Sequence, residues 1–184
     1  LLQGRREEWV IVGKAGEEFE GGVSRYDFTP AAIEASLHRS LKRLKTEYLD
    51  VLLIHSDGND AANLSDEVIA LMQDFKARGL VRAIGASTKT VEGGLRALEF
   101  MDVAMATYTP EYLDEKPVLD YAAAHGKGVL LKKVLGSGHA ADMQAALAHA
   151  FAHPGMAAAI VGTINPEHLR ANAEAVERAL GQNG

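Results

Sequence analysis

The sequence predicts an α/β protein in which a parallel sheet is wrapped by helices. Three observations carry this. Apolar runs rich in Val, Ile and Leu recur at residues 9–14, 49–55, 81–87, 103–108, 128–133 and 157–164, the pattern of strands buried on both faces. Helix-like segments with readable ends lie between them, and such alternation means parallel strands joined by helical crossovers. Two of the runs, Val10-Ile11-Val12-Gly13-Lys14 and Leu49-Asp50-Val51-Leu52-Leu53-Ile54-His55, end on a single ionisable residue. In β/α folds the C-terminal strand ends face the site, so Lys14 and His55 stand where chemistry occurs. The competing explanation is a polar residue where a strand meets solvent.

The helical segments come in order along the chain. Thr29 can cap the first, with Pro30 at its first position and Ile33, Leu37, Leu41 and Leu44 on one face. Ser65 can cap the second, which carries Val68, Leu71, Met72 and Phe75 and stops at Gly79. A short helix weakened by Gly93-Gly94 spans about Val91 to Met101. The next runs from Pro117 to Gly126 with Val118, Leu119 and Ala122 inward. Asp142 can cap Met143 to His153, striped by Met143, Leu147, Ala150 and Phe151. Asn165-Pro166 opens the last helix, with Leu169, Ala173, Val176 and Leu180 on one side and Gly181 after it.

A chain of 184 residues suits a single domain, 1–184, and no linker-like stretch divides it. With 47% apolar and 24% charged residues it has an ordinary globular composition. A formal charge of -6 gives no general attraction to nucleic acid or to an anionic membrane. The absence of cysteine excludes disulfides, thiolate metal sites and a cysteine nucleophile. No run approaches the ~18 apolar residues of a membrane span. The first residues, Leu-Leu-Gln-Gly-Arg-Arg, contain no signal-peptide core, so the expected location is cytoplasmic; they also lack an initiating Met, which suggests that the natural gene product starts elsewhere.

Several motifs point nowhere. Gly136-Ser137-Gly138-His139-Ala140-Ala141 fits a dinucleotide fingerprint, but no acidic residue ends the next strand ~20 residues on. This opposes an independent six-stranded Rossmann-like dehydrogenase. Asp57-Gly58-Asn59-Asp60 lacks the Gly and Glu of a calcium loop at Ala62 and Val68, and reads as a solvated turn. His149 and His153 have helical i,i+4 spacing without a third ligand or a general-base Glu, and read as a partly exposed helix face. No metal site is expected.

The remaining polar strand ends are Lys14, His55, Ser87-Thr88, Lys132-Lys133 and Gly162-Thr163-Ile164-Asn165. Together with Tyr26-Asp27-Phe28-Thr29-Pro30, Tyr48 to His55 (YLDVLLIH), Gly79 to Ser87 (GLVRAIGAS) and Ile160 to Asn172 (IVGTINPEHLRAN), they make the chain resemble the aldo/keto reductase family over essentially its whole length. Counting strands alone favours an open sheet, since a closed (β/α)8 barrel needs eight strands and ~250 residues. The resemblance instead implies a (β/α)8 TIM barrel with six of eight β/α units present, strands 3–8 of the family. It implies an NAD(P)H-dependent oxidoreductase that reduces aldehydes or ketones.

By the same resemblance Lys14 and His55 are the lysine and histidine of an Asp-Tyr-Lys-His tetrad. The family's Asp and Tyr belong ahead of the matched region. Tyr26 and Asp27 lie beyond the family's third strand and are not those residues, so this chain alone is expected to be inactive. Ser87 matches the serine that holds the nicotinamide carboxamide, with Thr88 where Asn is usual. Met105 stands for a common Gln and Lys132 for the ring that often stacks on nicotinamide. Leu135, Ser137 and Gly138 fall in the pyrophosphate loop. Gly162, Thr163, Asn165, His168 and Asn172 occupy the adenosine-phosphate region, with Gly162 replacing a Lys and His168 an Arg of some NADP-specific members. With Thr163, Asn165 and His168 as the 2′-phosphate site the resemblance implies NADP(H) over NAD(H), a preference that the two replacements weaken. The expected partner is a small carbonyl compound, with no nucleic acid and no membrane, and oligomeric state is not legible. The alternative is a non-catalytic fragment of the barrel that binds a nucleotide or a partner.

Overall fold

The computed structural model describes residues 4–136 and 142–181. The chain forms two compact units, residues 1–104 and 105–184.

In the first unit a short 3-10 turn, Arg6–Glu8, precedes strand β1 (Val12–Ala15). A hairpin comes next, β2 (Glu17–Glu20) and β3 (Val23–Tyr26), and then helix α1 (Pro30–Leu44), strand β4 (Leu49–Ile54) and the single turn α2 (Asp60–Asn63). Helix α3 (Asp66–Ala77), strand β5 (Val81–Ser87) and helix α4 (Val91–Phe100) complete it, and β6 (Val103–Thr107) crosses the boundary between the units. β1, β4 and β5 are parallel and neighbour one another in chain order. Their register sets Lys14 beside Leu53 and Ile54 beside Ala86, so the three strands end level with one another.

Local chemistry explains these elements. Thr29 Oγ1 accepts the Ala32 N–H at 3.4 Å, Ser65 Oγ the Val68 N–H at 3.3 Å, and Thr90 Oγ1 the Gly93 N–H at 3.1 Å. Each cap is worth ~1 kcal/mol. Ile33 and Leu37 of α1, Met72 and Phe75 of α3, and Leu52, Leu53 and Ile54 of β4 are almost completely buried and form this unit's core. Asp50 interrupts the apolar run of β4 for a reason. Its carboxylate accepts from Ile11 N–H (2.8 Å), Arg6 (2.8 Å) and Arg82 (3.0 Å), and each of those guanidiniums also stands over the Tyr48 ring, 3.9 and 4.1 Å from its centroid. Burial pushes the Asp50 carboxyl up, but these donors outweigh it and hold it below the usual range.

Gly85 sits in β5 where the chain leaves room for hydrogen alone. A Cβ there would stand 2.0 Å from the Val103 carbonyl oxygen, a backbone atom that no rotamer can move. Gly85→Ala is therefore expected to cost about 3 kcal/mol or more, at the upper end of overpacking effects. A urea midpoint lowered at unchanged slope checks this; a shift within experimental error contradicts it.

In the second unit, β6 leads through a turn to helix α5 (Lys116–His125), strand β7 (Gly128–Lys132), helix α6 (Met143–Phe151), strand β8 (Met156–Ala159) and helix α7 (Pro166–Gly181). β7 and β8 are parallel, with Leu131 beside Ala159. Asp142 caps α6 through the Ala145 N–H at 3.0 Å, and Leu119, Ala122, Val129, Leu131 and Leu147 make the core.

Four expectations need correction. β8 ends at Ala159 rather than Ile164: Ile160 N–H still reaches Leu131 O at 2.7 Å, but β7 itself stops at Lys132 and Lys133 turns to a positive φ of 56°. The buried face of α7 carries Asn172 and Ala175, while Leu169 is 57% exposed. Asp60 is buried, so its loop is not simply a solvated turn. His149 and His153 pack on Tyr108, with ring centroids 4.5 and 5.6 Å away, and His153 Nε2 lies 3.1 Å from the Asp120 carboxylate. Among the described residues no helix is long and apolar enough to cross a membrane.

Candidate functional site

The C-terminal ends of β1, β4 and β5 bring four of the expected residues to one end of the first unit. Lys14 lies in β1 and is exposed. His55 comes directly after β4, its N–H bonded to Ala15 O at 2.8 Å, which fixes the backbone beside β1. Ser87 ends β5 and Thr88 is next in the chain, both buried. His55, Ser87 and Thr88 pack around one closed gap with Asp60 and Asn63, too small to admit a water molecule.

Asp60 joins the two loops around this gap. Its Oδ2 accepts from Lys89 N–H (2.7 Å), Thr90 N–H (2.9 Å) and Thr90 Oγ1 (2.8 Å), and its Oδ1 accepts from the Ser56 hydroxyl. One carboxylate thus connects the segment after His55 to the segment after Ser87.

The electrostatics centre on His55. Its Nδ1 meets the Glu17 carboxylate, with the two side chains 28% and 19% exposed. Burial of the imidazole, and after it the charge of Lys14, holds His55 below the usual histidine range, while Glu17 pulls the other way. Loss of hydration likewise lowers Lys14, and Glu17 partly offsets it. The Glu17 carboxyl is itself lowered, first by a hydrogen bond from Ser24, with further hydrogen bonds from Tyr26 and His55. The Tyr26 ring lies 6.4 Å from His55, tilted by 51°. Burial and the bond to Glu17 push the Tyr26 phenol up, so it is a poor acid.

Glu17 and Ser24 were not among the expected site residues, and Tyr26 was expected only to lie outside the tetrad, although a signal for the hairpin that carries all three was there. Glu17 to Tyr26 is two short runs around Gly21-Gly22, a two-residue hairpin turn. Both glycines have positive φ, 59° and 82°, as such a turn requires. Asp27 does separate work: its Oδ1 accepts from the Thr29 N–H and hydroxyl at 2.9 and 2.7 Å and shapes the entry to α1.

In the second unit, Lys132 ends β7 half-buried and Leu135 lies in the next turn, also half-buried. Ser137 and Gly138 lie outside the described residues. Gly162, Thr163 and His168 are exposed around the start of α7, and a Cβ at Gly162 would meet nothing within 4 Å. The turn engages two of the expected anion ligands: Thr163 Oγ1 accepts the Asn165 N–H (3.1 Å), and Asn165 Oδ1 accepts the Glu167 N–H (2.9 Å). Asn172 is buried on the inner face of α7. Met105 is also buried, with no amide to offer.

The model of the Aldo/keto reductase family matches residues 1–145. A solved Pseudomonas aeruginosa protein assigned to the aldo-keto reductases is 52% identical, covering 97% of this chain and 71% of its own, with a TM-score of 0.92. A methylglyoxal reductase of Salmonella typhimurium is 35% identical over 96 residues, covering 50% of this chain and 36% of its own length. A 6-dehydroglucose reductase of Agrobacterium fabrum is 26% identical over 193 residues, covering 90% and 64%. The chain thus matches about a third of the Salmonella relative and just under two thirds of the Agrobacterium one.

Proposed function

Given that the chain belongs to the aldo/keto reductase family, we propose that it serves NAD(P)H-dependent reduction of an aldehyde or ketone to an alcohol. The observation that supports this most is the placing of Lys14 and His55 at the ends of the paired strands β1 and β4, with Ser87 at the end of the neighbouring strand β5. In this reading the six parallel-type strands correspond to the third to eighth of a (β/α)8 barrel.

When bound, a reduced nicotinamide supplies the hydride that makes the new C–H bond and is itself oxidised. The residues of this chain act at the carbonyl oxygen. Negative charge grows there as the carbonyl π bond breaks, and a proton must arrive. Lys14 contributes a cation at the end of β1, with the Glu17 carboxylate favouring its charged form. His55 turns its second ring nitrogen, Nε2, to the carbonyl oxygen. A phenol with an ordinary pKa of ~10 needs such a neighbouring cation to act near neutrality. The tetrad Tyr and Asp are not among the matched positions, and Tyr26 is held by Glu17 as a poor acid. The 184 residues by themselves are therefore expected to bind nucleotide without turning over a carbonyl.

By the family resemblance each unit would offer nucleotide-binding residues of its own, and they suit the role unevenly. In the first unit Ser87 can hold a carboxamide; in the second Leu135 borders the turn proposed for the pyrophosphate. A Cβ at Gly162 would meet nothing within 4 Å, and the start of α7 favours an anion through its dipole. Thr163 and Asn165 serve the turn through acceptor oxygens, so the Asn165 side-chain amide can still donate to a 2′-phosphate alongside His168. One charged hydrogen bond is worth ~1.5–3 kcal/mol, so NADPH is expected to bind roughly ten- to a hundredfold more tightly than NADH. A fluorescence titration with both nucleotides measures this. Equal constants would remove the phosphate assignment, and failure to bind either would overturn the nucleotide reading.

A further inference from the structure

We propose that Glu17 is a positioning residue that holds His55 with its proton on Nδ1 and leaves Nε2 as the working nitrogen. The inference rests on the reductase reading for its meaning, but the arrangement stands on geometry alone. An ionised carboxylate only accepts hydrogen bonds, so the ring nitrogen facing Glu17 must carry hydrogen. Free imidazole side chains favour the opposite tautomer, with hydrogen on Nε2. Glu17 is in turn fixed by the hydroxyls of Ser24 and Tyr26, both contributed by β3. It sits directly across from Tyr26 in the hairpin register. A hairpin that carries no other expected site residue thus delivers a carboxylate to the histidine.

The chemical consequence is specific. In its neutral form His55 presents a lone pair at Nε2 and can accept a hydrogen bond from an alcohol hydroxyl. To donate a hydrogen bond to a carbonyl oxygen it must first be imidazolium, with Nδ1–H kept on Glu17 and Nε2–H toward the oxygen, while the proton that completes the alcohol comes from the phenol of the tetrad Tyr. The groups that set this balance are Lys14 on β1, Glu17 on β2, Tyr26 on β3, Lys89 after β5, and Asp60 beside the closed gap. Lys14 and Lys89 favour the neutral ring and Glu17 favours the charged one. Reduction is therefore expected to fade, and alcohol oxidation to gain, as pH rises through the pKa of His55.

The test needs no turnover, so its failure is distinct from failure of the reductase reading. Long-range proton–nitrogen NMR of the nitrogen-15-labelled chain reports which ring nitrogen is protonated, with the His55 signals identified by their loss in His55→Gln. The wild type should show Nδ1–H as the major neutral form. Glu17→Ala should make it the minor form. Glu17→Gln, whose amide oxygen still accepts from Nδ1, should keep the tautomer while lowering the His55 pKa. Backbone spectra of both variants verify that the chain stays folded. A wild type with Nε2–H predominant, or a folded Glu17→Ala with unchanged tautomer and pKa, overturns the proposal.

Discussion

Asp60→Ala is expected to lower the stability of the chain by about 3–5 kcal/mol, a large part of the ~5–15 kcal/mol that a domain of this kind possesses. The reason is the number of donors left behind. Two backbone N–H groups, at Lys89 and Thr90, and two hydroxyls, at Ser56 and Thr90, lose their acceptor together. A donor left without a partner away from water costs ~1–3 kcal/mol, whereas a made bond contributes only ~1 kcal/mol net. Asp60→Asn, which retains one oxygen, should fall between wild type and alanine. Urea unfolding measures both. A loss below ~0.5 kcal/mol in the alanine variant, within the range of an ordinary surface change, would show that the two loops are held by other contacts. Because the same carboxylate joins the loops bearing His55 and Ser87, nucleotide affinity should fall along with stability.

Lys14→Met is expected to reduce carbonyl turnover by roughly 10³-fold, the middle of the range for groups that assist proton transfer. Nucleotide affinity should change little, because Lys14 acts on the substrate oxygen and its acid rather than on the nucleotide. The measurement requires the form of the protein that turns over an aldehyde. The 184-residue chain itself offers a second measurement. The charge of Lys14 lowers the His55 pKa, so methionine, which keeps the length and loses the charge, should raise it. An unchanged His55 titration would mean that the two strand ends do not sense each other, and the proposed site would lose its basis.

These expectations depend on features that were unequally legible. The end of β4 at His55 could be read because an unbroken apolar run stops there. Asp50 was readable as a family marker but not as the acceptor for Arg6, Arg82 and Ile11, since those partners are 32 to 44 residues away in the chain. The β2–β3 hairpin was overlooked: its strands are exposed, with Phe19 73% and Val23 58% accessible, so they lack the apolar pattern that marks a buried strand. The inward face of α7 was misjudged because Leu169 looked like an anchor, whereas Asn172 and Ala175 are the residues that turn inward.

By itself the sequence determined the class of the fold, the family, the helix caps at Thr29, Ser65 and Asp142, and the strand-end positions of Lys14 and His55. Those are local matters: a cap involves three or four consecutive residues, and a strand declares itself by its own apolar period. The tertiary structure decided what surrounds the strand ends. That Glu17 faces Nδ1 of His55, that Asp60 joins two loops, and that Thr163 and Asn165 are engaged in the turn before α7 each depend on which groups the folded backbone brings within hydrogen-bonding reach. A hydrogen bond acts over about 3 Å, and for His55 and Asp60 that distance is spanned by residues far apart in the chain.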